Sequence, residues 1–192
     1  YIPAVPGWSD IVRNLDTVPV VTLALGPTAG LGAARTVASH YSIMVRGLSQ
    51  LFAAGPAVVD GLGDKYKSAE DHQQAKEELG GVDIHTRNGV VDDEVASEAE
   101  AFARARYFLS FMPEYAGQLA RRTAPSDPTD RREEALLSLV PRDDKQVYSM
   151  RRAMDLILDK GTVFEIGKNW GRAAITALAR LDGWPVAVLA SD

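Results

Sequence analysis

Three features of this 192-residue chain predict an α/β fold. A β-branched, apolar run from Val18 to Leu25 leads into the loop Gly26-Pro27-Thr28-Ala29-Gly30-Leu31-Gly32-Ala33, and good helix formers follow. Tyr41 to Val45 and Gln50 to Ala54 are two further short strand-like runs, set apart from later strand signals by amphipathic helical stretches. Near the C-terminus, Asp182-Gly183 precedes the apolar run Trp184 to Ala190. An Asp-Gly pair flanked by apolar runs is a strong hairpin signal, because both residues tolerate the left-handed backbone of a tight turn.

Each element has its own local reason. Val18 to Leu25 has strand length and no polar alternation, which predicts a strand buried on both faces. Ala33 to His40 is predicted helical from composition. Gly55-Pro56 is predicted to open a short helix, because proline suits a first helical turn. The polar stretch Lys65 to Glu78 reads as a surface helix or loop, and Gly80-Gly81 breaks it. From Asp92 to Met112 the spacing of Val95, Ala99, Phe102, Leu109 and Met112 fits one helical face. The acidic start of that stretch (Asp92, Asp93, Glu94) suits a helix N-terminus, and Pro113 limits it. Ala124 to Asp130 has linker composition. A further helix is predicted from Asp144 to Lys160, with Val147, Met150, Met154 and Ile157 on one face and Gly161 as the stop. Ala173 to Leu181 is alanine-rich and has helical propensity. The Asp-Gly turn outweighs it, and a hairpin is predicted there.

Composition narrows the function. With 46% hydrophobic and 24% charged residues, the chain has the balance of an ordinary globular protein. A net charge of −5 argues against a general electrostatic grip on nucleic acid. The chain has no cysteine, which excludes disulfides, thiolate nucleophiles and Cys-based metal sites. His40, His72 and His85 lack metal-ligand spacing, so no metal is predicted. Ser39-His40 has no nucleophile-elbow context, since the G-x-S-x-G pattern is absent. No apolar run approaches the roughly 18 residues of a membrane span, and no membrane partner is expected. The sequence starts at Tyr1 and closes on Asp192 directly after a strand-like run, so it is read as the central part of a longer chain.

Four blocks in order carry a family resemblance. They are LGPTAGLGA (Leu25 to Ala33) with YSIMV and LFAAGPAVV (Leu51 to Val59); Glu78-Leu79-Gly80-Gly81 with His85-Thr86; Val140-Pro141 with Tyr148-Ser149-Met150; and FEIGKNWG (Phe164 to Gly171) with ALARLDGWPVAVLAS. Together they are similar to the carboxyltransferase (beta) subunits of biotin-dependent acyl-CoA carboxylases of the propionyl-CoA and methylcrotonyl-CoA type. Leu31 stands where that family usually has a second adjacent glycine, and Gly63 to Lys76 is longer than its usual counterpart.

The resemblance implies a crotonase/ClpP-like carboxyltransferase fold. Residues 1–119 correspond to the later part of the N-domain on the acyl-CoA side, 120–161 to a linker and helix, and 162–192 to the start of the C-domain. It implies transfer of a carboxyl group from carboxybiotin, carried on a partner, to the α-carbon of a short or branched acyl-CoA, propionyl-CoA first. The alternatives are a biotin-dependent decarboxylase subunit, or an inactive binding or assembly piece when the chain stands alone. Expected partners are the acyl-CoA, a biotin carboxylase or biotin carrier subunit, and further carboxyltransferase subunits in a homo-oligomer. The expected location is the cytoplasm, or the mitochondrial matrix in a eukaryote.

The site residues follow from the same reaction. Loss of the α-proton puts negative charge on the thioester oxygen, which backbone amides in a strand-to-helix turn can hold without reorganising. Gly30, Leu31 and Gly32 are the candidates for this oxyanion hole. A backbone donor survives substitution of glycine by leucine, so Leu31 keeps the function and adds only a side chain. Arg35 and Arg46 are candidates for coenzyme A phosphates.

Overall fold

The computed structural model describes residues 6–55, 69–125 and 127–192. The helix expected to open at Gly55-Pro56 and the start of the polar stretch, 65–68, lie outside the described residues. The chain divides into two units, one ending at Arg106 and the other beginning at Tyr107.

The first unit contains α1 (Trp8–Asn14), β1 (Val21–Ala24), β2 (Pro27–Ala29), α2 (Leu31–Val37), β3 (Tyr41–Val45) and β4 (Gln50–Phe52). Next come α3 (Ala69–Gly80), α4 (Val82–Arg87), β5 (Asp93–Val95) and α5 (Glu98–Leu109), whose last residues belong to the second unit. Strands β1, β3 and β5 form a parallel sheet with β3 in the middle, Val21 facing Tyr41 and Ile43 facing Asp93. Strands β2 and β4 form a separate parallel pair, with Pro27 opposite Gln50 and Ala29 opposite Phe52. All five residues of β3 are buried, as a central parallel strand requires.

Burial on both faces was expected for β1 and is not found. Val21 to Leu23 are only half-buried, Val18 is exposed, and β1 pairs with β3 alone among the described residues. The core of this unit instead joins Ala24 to Ala33 of α2, Met44, Leu51, Val82 and Val91.

The helix expected from Asp92 to Met112 is replaced at its start by β5 and begins only at Glu98. Its acidic residues are not a helix N-terminus, because tertiary partners claim Asp93. That residue is 1% exposed, and its carboxylate accepts from the Tyr41 hydroxyl and from Arg104. Arg104 Nε also donates to the Tyr41 hydroxyl at 3.0 Å. Ionised groups stand burial only when paired and hydrogen-bonded, and this triad meets that condition for Asp93.

Burial, then the neighbouring Asp93 charge, pushes the Tyr41 phenol well above its ordinary value. The folded chain therefore keeps a proton that the unfolded chain loses near pH 10. This stability is complete below about pH 10 and falls as pH rises beyond it, by about 1.4 kcal/mol per pH unit. Urea unfolding between pH 9 and 11 should show a steeper alkaline loss for wild type than for Tyr41→Phe. Parallel slopes would remove Tyr41 as the cause.

The second unit contains α6 (Leu136–Leu139), α7 (Met150–Ile157), β6 (Phe164–Ile166), β7 (Ala174–Leu181) and β8 (Trp184–Ser191). The three strands form an antiparallel sheet in the order β6-β7-β8. Asp182 and Gly183 both have positive φ, at 51° and 75°, so the hairpin closes on the left-handed pair that the Asp-Gly signal predicts. Alanine's helix propensity loses because β7 alternates in burial. Ile175, Ala177 and Ala179 point into a core shared with Met154 and Leu158.

Helix α7 is shorter than the expected Asp144–Lys160. Ser149 caps it, accepting from the Arg152 amide, and the chain turns away after Leu158 before the left-handed Gly161. Val147 lies before the cap and is 95% exposed, so it does not belong to the buried face. Ala153, Met154 and Leu158 form that face instead.

Candidate active site

The glycine loop is shaped by β2 and sits between β1 and α2. Gly30 has φ 60° and ψ −129°, a conformation open to glycine and costly for other residues. Its N–H donates to Phe52 O at 3.0 Å, which fastens the loop to β4. Its carbonyl accepts from the Ala34 amide at 3.1 Å and so starts α2.

These bonds separate the three candidate residues. The Gly30 amide is spent on Phe52, so Gly30 shapes the turn and does not donate to a ligand. Leu31 and Gly32 occupy the first turn of α2, where amides have no intrahelical acceptor. No backbone acceptor for either occurs among the described residues. Two of the three amides expected to hold an oxyanion are therefore available.

The far end of α2 is tied down as well. Thr22 Oγ1 donates to Thr36 O at 2.6 Å and lies 2.9 Å from Ser39 Oγ, which also bonds Thr36 O. His40 Nδ1 accepts the Val20 amide at 3.0 Å. Ser39 and His40 are thus structural, in keeping with their lack of a catalytic context in the sequence.

Beside the loop lies an apolar cavity of about 370 Å³. Gly30, Ala33, Ala34 and Val37 form one wall, a single face of α2 at the i, i+3, i+4, i+7 spacing. Leu51, Phe52 and Ala53 form the second wall, and His85 and Val90 the third. Leu31 is 43% exposed and does not line the cavity, so its side chain does not narrow this space.

Sequence reasoning missed two supports of this site. His85 Nε2 donates to Leu51 O at 2.8 Å, the tautomer set by its carbonyl partner, while its buried Nδ1 has no hydrogen-bond partner. Gly80 is the second. A Cβ there would fall 2.2 Å from Leu51 O and 2.5 Å from the Phe52 ring. The Glu78-Leu79-Gly80-Gly81 block thus has a steric meaning, since the end of α3 lies directly on β4. Gly80→Ala should destabilise the chain by about 2 to 3 kcal/mol through overpacking. A fall in the urea midpoint without a change in m would show it, and an unchanged midpoint would show that β4 yields freely.

The remaining candidates separate clearly. Arg46 is engaged by Asp83 at 3.1 Å and by Glu94, and its hydrogen bond holds the Asp83 carboxyl below the usual range. It is not free for a phosphate in this arrangement. Arg35 is exposed near the end of α2. The side chain of His72 lies outside the described atoms. No group of three metal-ligating side chains occurs among the described residues, and no helix there is long and apolar enough to cross a membrane.

Known proteins share this architecture. The carboxyl transferase domain family matches residues 9–192. The propionyl-CoA carboxylase beta chain of Roseobacter denitrificans is 30% identical over the whole of this chain, which spans 37% of that protein. The mitochondrial beta chain of Homo sapiens is 28% identical, again over the whole chain and 35% of the relative. The methylmalonyl-CoA decarboxylase subunit alpha of Veillonella parvula is 29% identical over 91% of this chain and 33% of its own length. The chain thus spans about a third of the length of these curated relatives. Among solved structures, transcarboxylase 12S, described as a hexamer assembly, superposes with a TM-score of 0.82 at 24% identity, over 97% of this chain and 36% of its own. A single-chain, multi-domain long-chain acyl-CoA carboxylase superposes with a TM-score of 0.77 at 28% identity, over 98% of this chain and 18% of its own.

Proposed function

The chain belongs to the carboxyl transferase family, and from that premise we propose that it is the acyl-CoA side of a biotin-dependent acyl-CoA carboxyltransferase. The observation that carries the reading is the family match from residue 9 to residue 192, with a strand–glycine loop–helix turn inside it whose first amides are free.

In this reading Leu31 and Gly32 hold the thioester oxygen as the α-proton leaves and charge moves onto that oxygen. Gly30 sets the turn that aims them. The amides are fixed before the reaction, so they stabilise the enolate without rearranging. Carboxybiotin, carried on a partner, would supply the carboxyl group as carbon dioxide on cleavage of its N–C bond, and the biotin nitrogen freed by that cleavage would take up the α-proton. The donor set of this chain fits an acyl thioester, and no residue is assigned to biotin itself. Carbon–carbon bond formation at the α-carbon then gives the carboxylated acyl-CoA.

The reading places residues 1–119 in the N-domain, 120–161 in a linker and helix, and 162–192 at the start of the C-domain. Its partners are a biotin carboxylase or biotin carrier subunit and further carboxyltransferase subunits, a view supported by the hexamer described for transcarboxylase 12S. Propionyl-CoA is the first substrate to test, on the strength of the beta-chain relatives. The second reading is a decarboxylase subunit, favoured by the Veillonella relative.

The test follows labelled bicarbonate into acyl-CoA, with this chain in its full-length polypeptide and biotin-carrying partner supplied. Label in methylmalonyl-CoA supports the carboxylase. Release of carbon dioxide from methylmalonyl-CoA without the forward reaction points to the decarboxylase. Neither reaction in an assembled preparation overturns both.

A further inference from the structure

We propose that His85 is a positioning residue for the reaction, holding the oxyanion turn in place through β4. This rests on the carboxyltransferase reading and deepens it by naming a side chain outside the glycine loop on which turnover depends.

The need for such a residue begins in β4. Successive residues of a strand present their N–H and C=O groups to opposite edges. Phe52 O faces β2, where it accepts the Gly30 amide at 3.0 Å. Leu51 O therefore faces the other edge, where no strand pairs with β4 among the described residues. Leu51 is 2% exposed, and a buried carbonyl needs a donor. His85, on α4, meets that need with Nε2 at 2.8 Å. The end of α3 closes on the same carbonyl and leaves no room there for a Cβ on Gly80.

The ring's second nitrogen supports the assignment. Nδ1 is buried and has no hydrogen-bond partner. An apolar side chain would fill the same space without leaving a polar atom unsatisfied. What histidine adds is one N–H at the ε position, and that N–H goes to Leu51 O.

The connection to the turn is short. Leu51 and Phe52 are consecutive in a strand of 3 residues. One carbonyl ties β4 to His85, and the next ties it to Gly30. Gly30 O accepts the Ala34 amide at 3.1 Å and so starts α2, whose first residues are Leu31 and Gly32. Releasing Leu51 O from His85 lets β4 shift, and Gly30 shifts with it. Charge reaches the thioester oxygen only as the enolate forms, so a displaced turn weakens the transition state more than the bound substrate. A misplacement of about 1 Å, caused far from the chemistry, can lower a rate about a hundredfold.

The test is turnover by the assembled full-length enzyme, with kcat and KM read separately. The reaction is carboxylation of propionyl-CoA, or decarboxylation of methylmalonyl-CoA if wild type runs only that. His85→Leu removes the donor and should lower kcat about ten- to a hundredfold, with KM within about threefold. His85→Gln places an amide N–H near the ε position and should return kcat to within about fivefold of wild type. His85→Asn places its N–H near the δ position, short of Leu51 O, and should stay as low as His85→Leu. It takes the place of His85→Leu if that variant does not fold. Thr86→Val is the stability control. It removes a buried hydroxyl whose bond, to Val82 O at 2.9 Å, stays within α4, and it should leave kcat unchanged. Near-normal kcat in folded His85→Leu or His85→Asn overturns the positioning role and leaves the proposed function standing. Equal losses in the glutamine and asparagine variants do the same, as does an equal loss in Thr86→Val. No turnover of either substrate by wild type removes the function and the positioning role together.

Discussion

Replacing Asp159 with alanine is expected to destabilise the second unit by about 3 to 5 kcal/mol, from the loss of two hydrogen bonds to one charged group. Asp159 follows α7 and is 7% exposed. Its Oδ1 accepts the Asp182 amide at 2.8 Å and its Oδ2 the Gly183 amide at 2.7 Å, so one carboxylate holds both residues of the hairpin turn. Its own amide donates to Arg180 O at 2.9 Å, and its carbonyl accepts from Thr162 Oγ1 at 2.7 Å. The alanine variant keeps the backbone bonds and strands two donors at the turn, the Gly183 amide buried and the Asp182 amide part-buried. Asp159→Asn retains one acceptor oxygen and turns its amide group toward the other donor, so it should recover about half of the loss. Urea unfolding gives the magnitude, and hydrogen exchange at the Asp182 and Gly183 amides gives the location. A loss under about 1 kcal/mol with both amides still protected would show that the turn holds without its carboxylate.

Asp159 also shows what a sequence conceals. The hairpin itself is legible, because the turn signal is local: Asp-Gly needs only its own backbone preferences to reverse the chain. The anchor is not, because nothing in Asp159-Lys160-Gly161 reveals that a carboxylate will meet a turn more than twenty residues later. The same division explains β5. Asp92-Asp93-Glu94 reads as a helix N-terminus by charge pattern. In the fold, Asp93 pairs with Arg104 and Tyr41, and the segment becomes a strand beside β3. Tertiary pairing outweighs a preference of a few tenths of a kcal/mol per residue.

The candidate site divides in the same way. The loop from Gly26 to Gly32 was visible because strand, glycines and helix are contiguous in the sequence. The spending of the Gly30 amide on Phe52 was not, since the two residues meet only when β2 pairs with β4. His85 and Gly80 were marked by their blocks but not by their roles. Both act on β4 across the fold, one through Leu51 O and the other through the space a Cβ would need.

Gly32→Pro carries the largest expected effect on activity, a fall in turnover of about a hundred- to a thousandfold from the loss of one oxyanion donor. Proline is tolerated in the first turn of a helix, where its missing N–H breaks no intrahelical bond. The position is thus one where the donor can be removed while the helix survives. Two controls separate the donor from its surroundings. A Cβ at Gly32 would come within 2.9 Å of Thr28 Cγ2, so Gly32→Ala introduces the crowding while keeping the amide. Its turnover should stay well above that of the proline variant. Leu31→Gly keeps the neighbouring amide and removes an exposed side chain that does not line the cavity. It should hold turnover within about tenfold, or roughly 1.4 kcal/mol. The measurement is kcat and KM for all three variants in the full-length complex, after assembly is confirmed. The proline effect should fall on kcat more than on KM, because the charge it stabilises develops only as the α-proton leaves. If Gly32→Pro assembles and keeps near-normal kcat, the turn serves packing alone and the oxyanion lies elsewhere. If Gly32→Ala is as damaged as Gly32→Pro, contact with Thr28 is the cause and the amide is not.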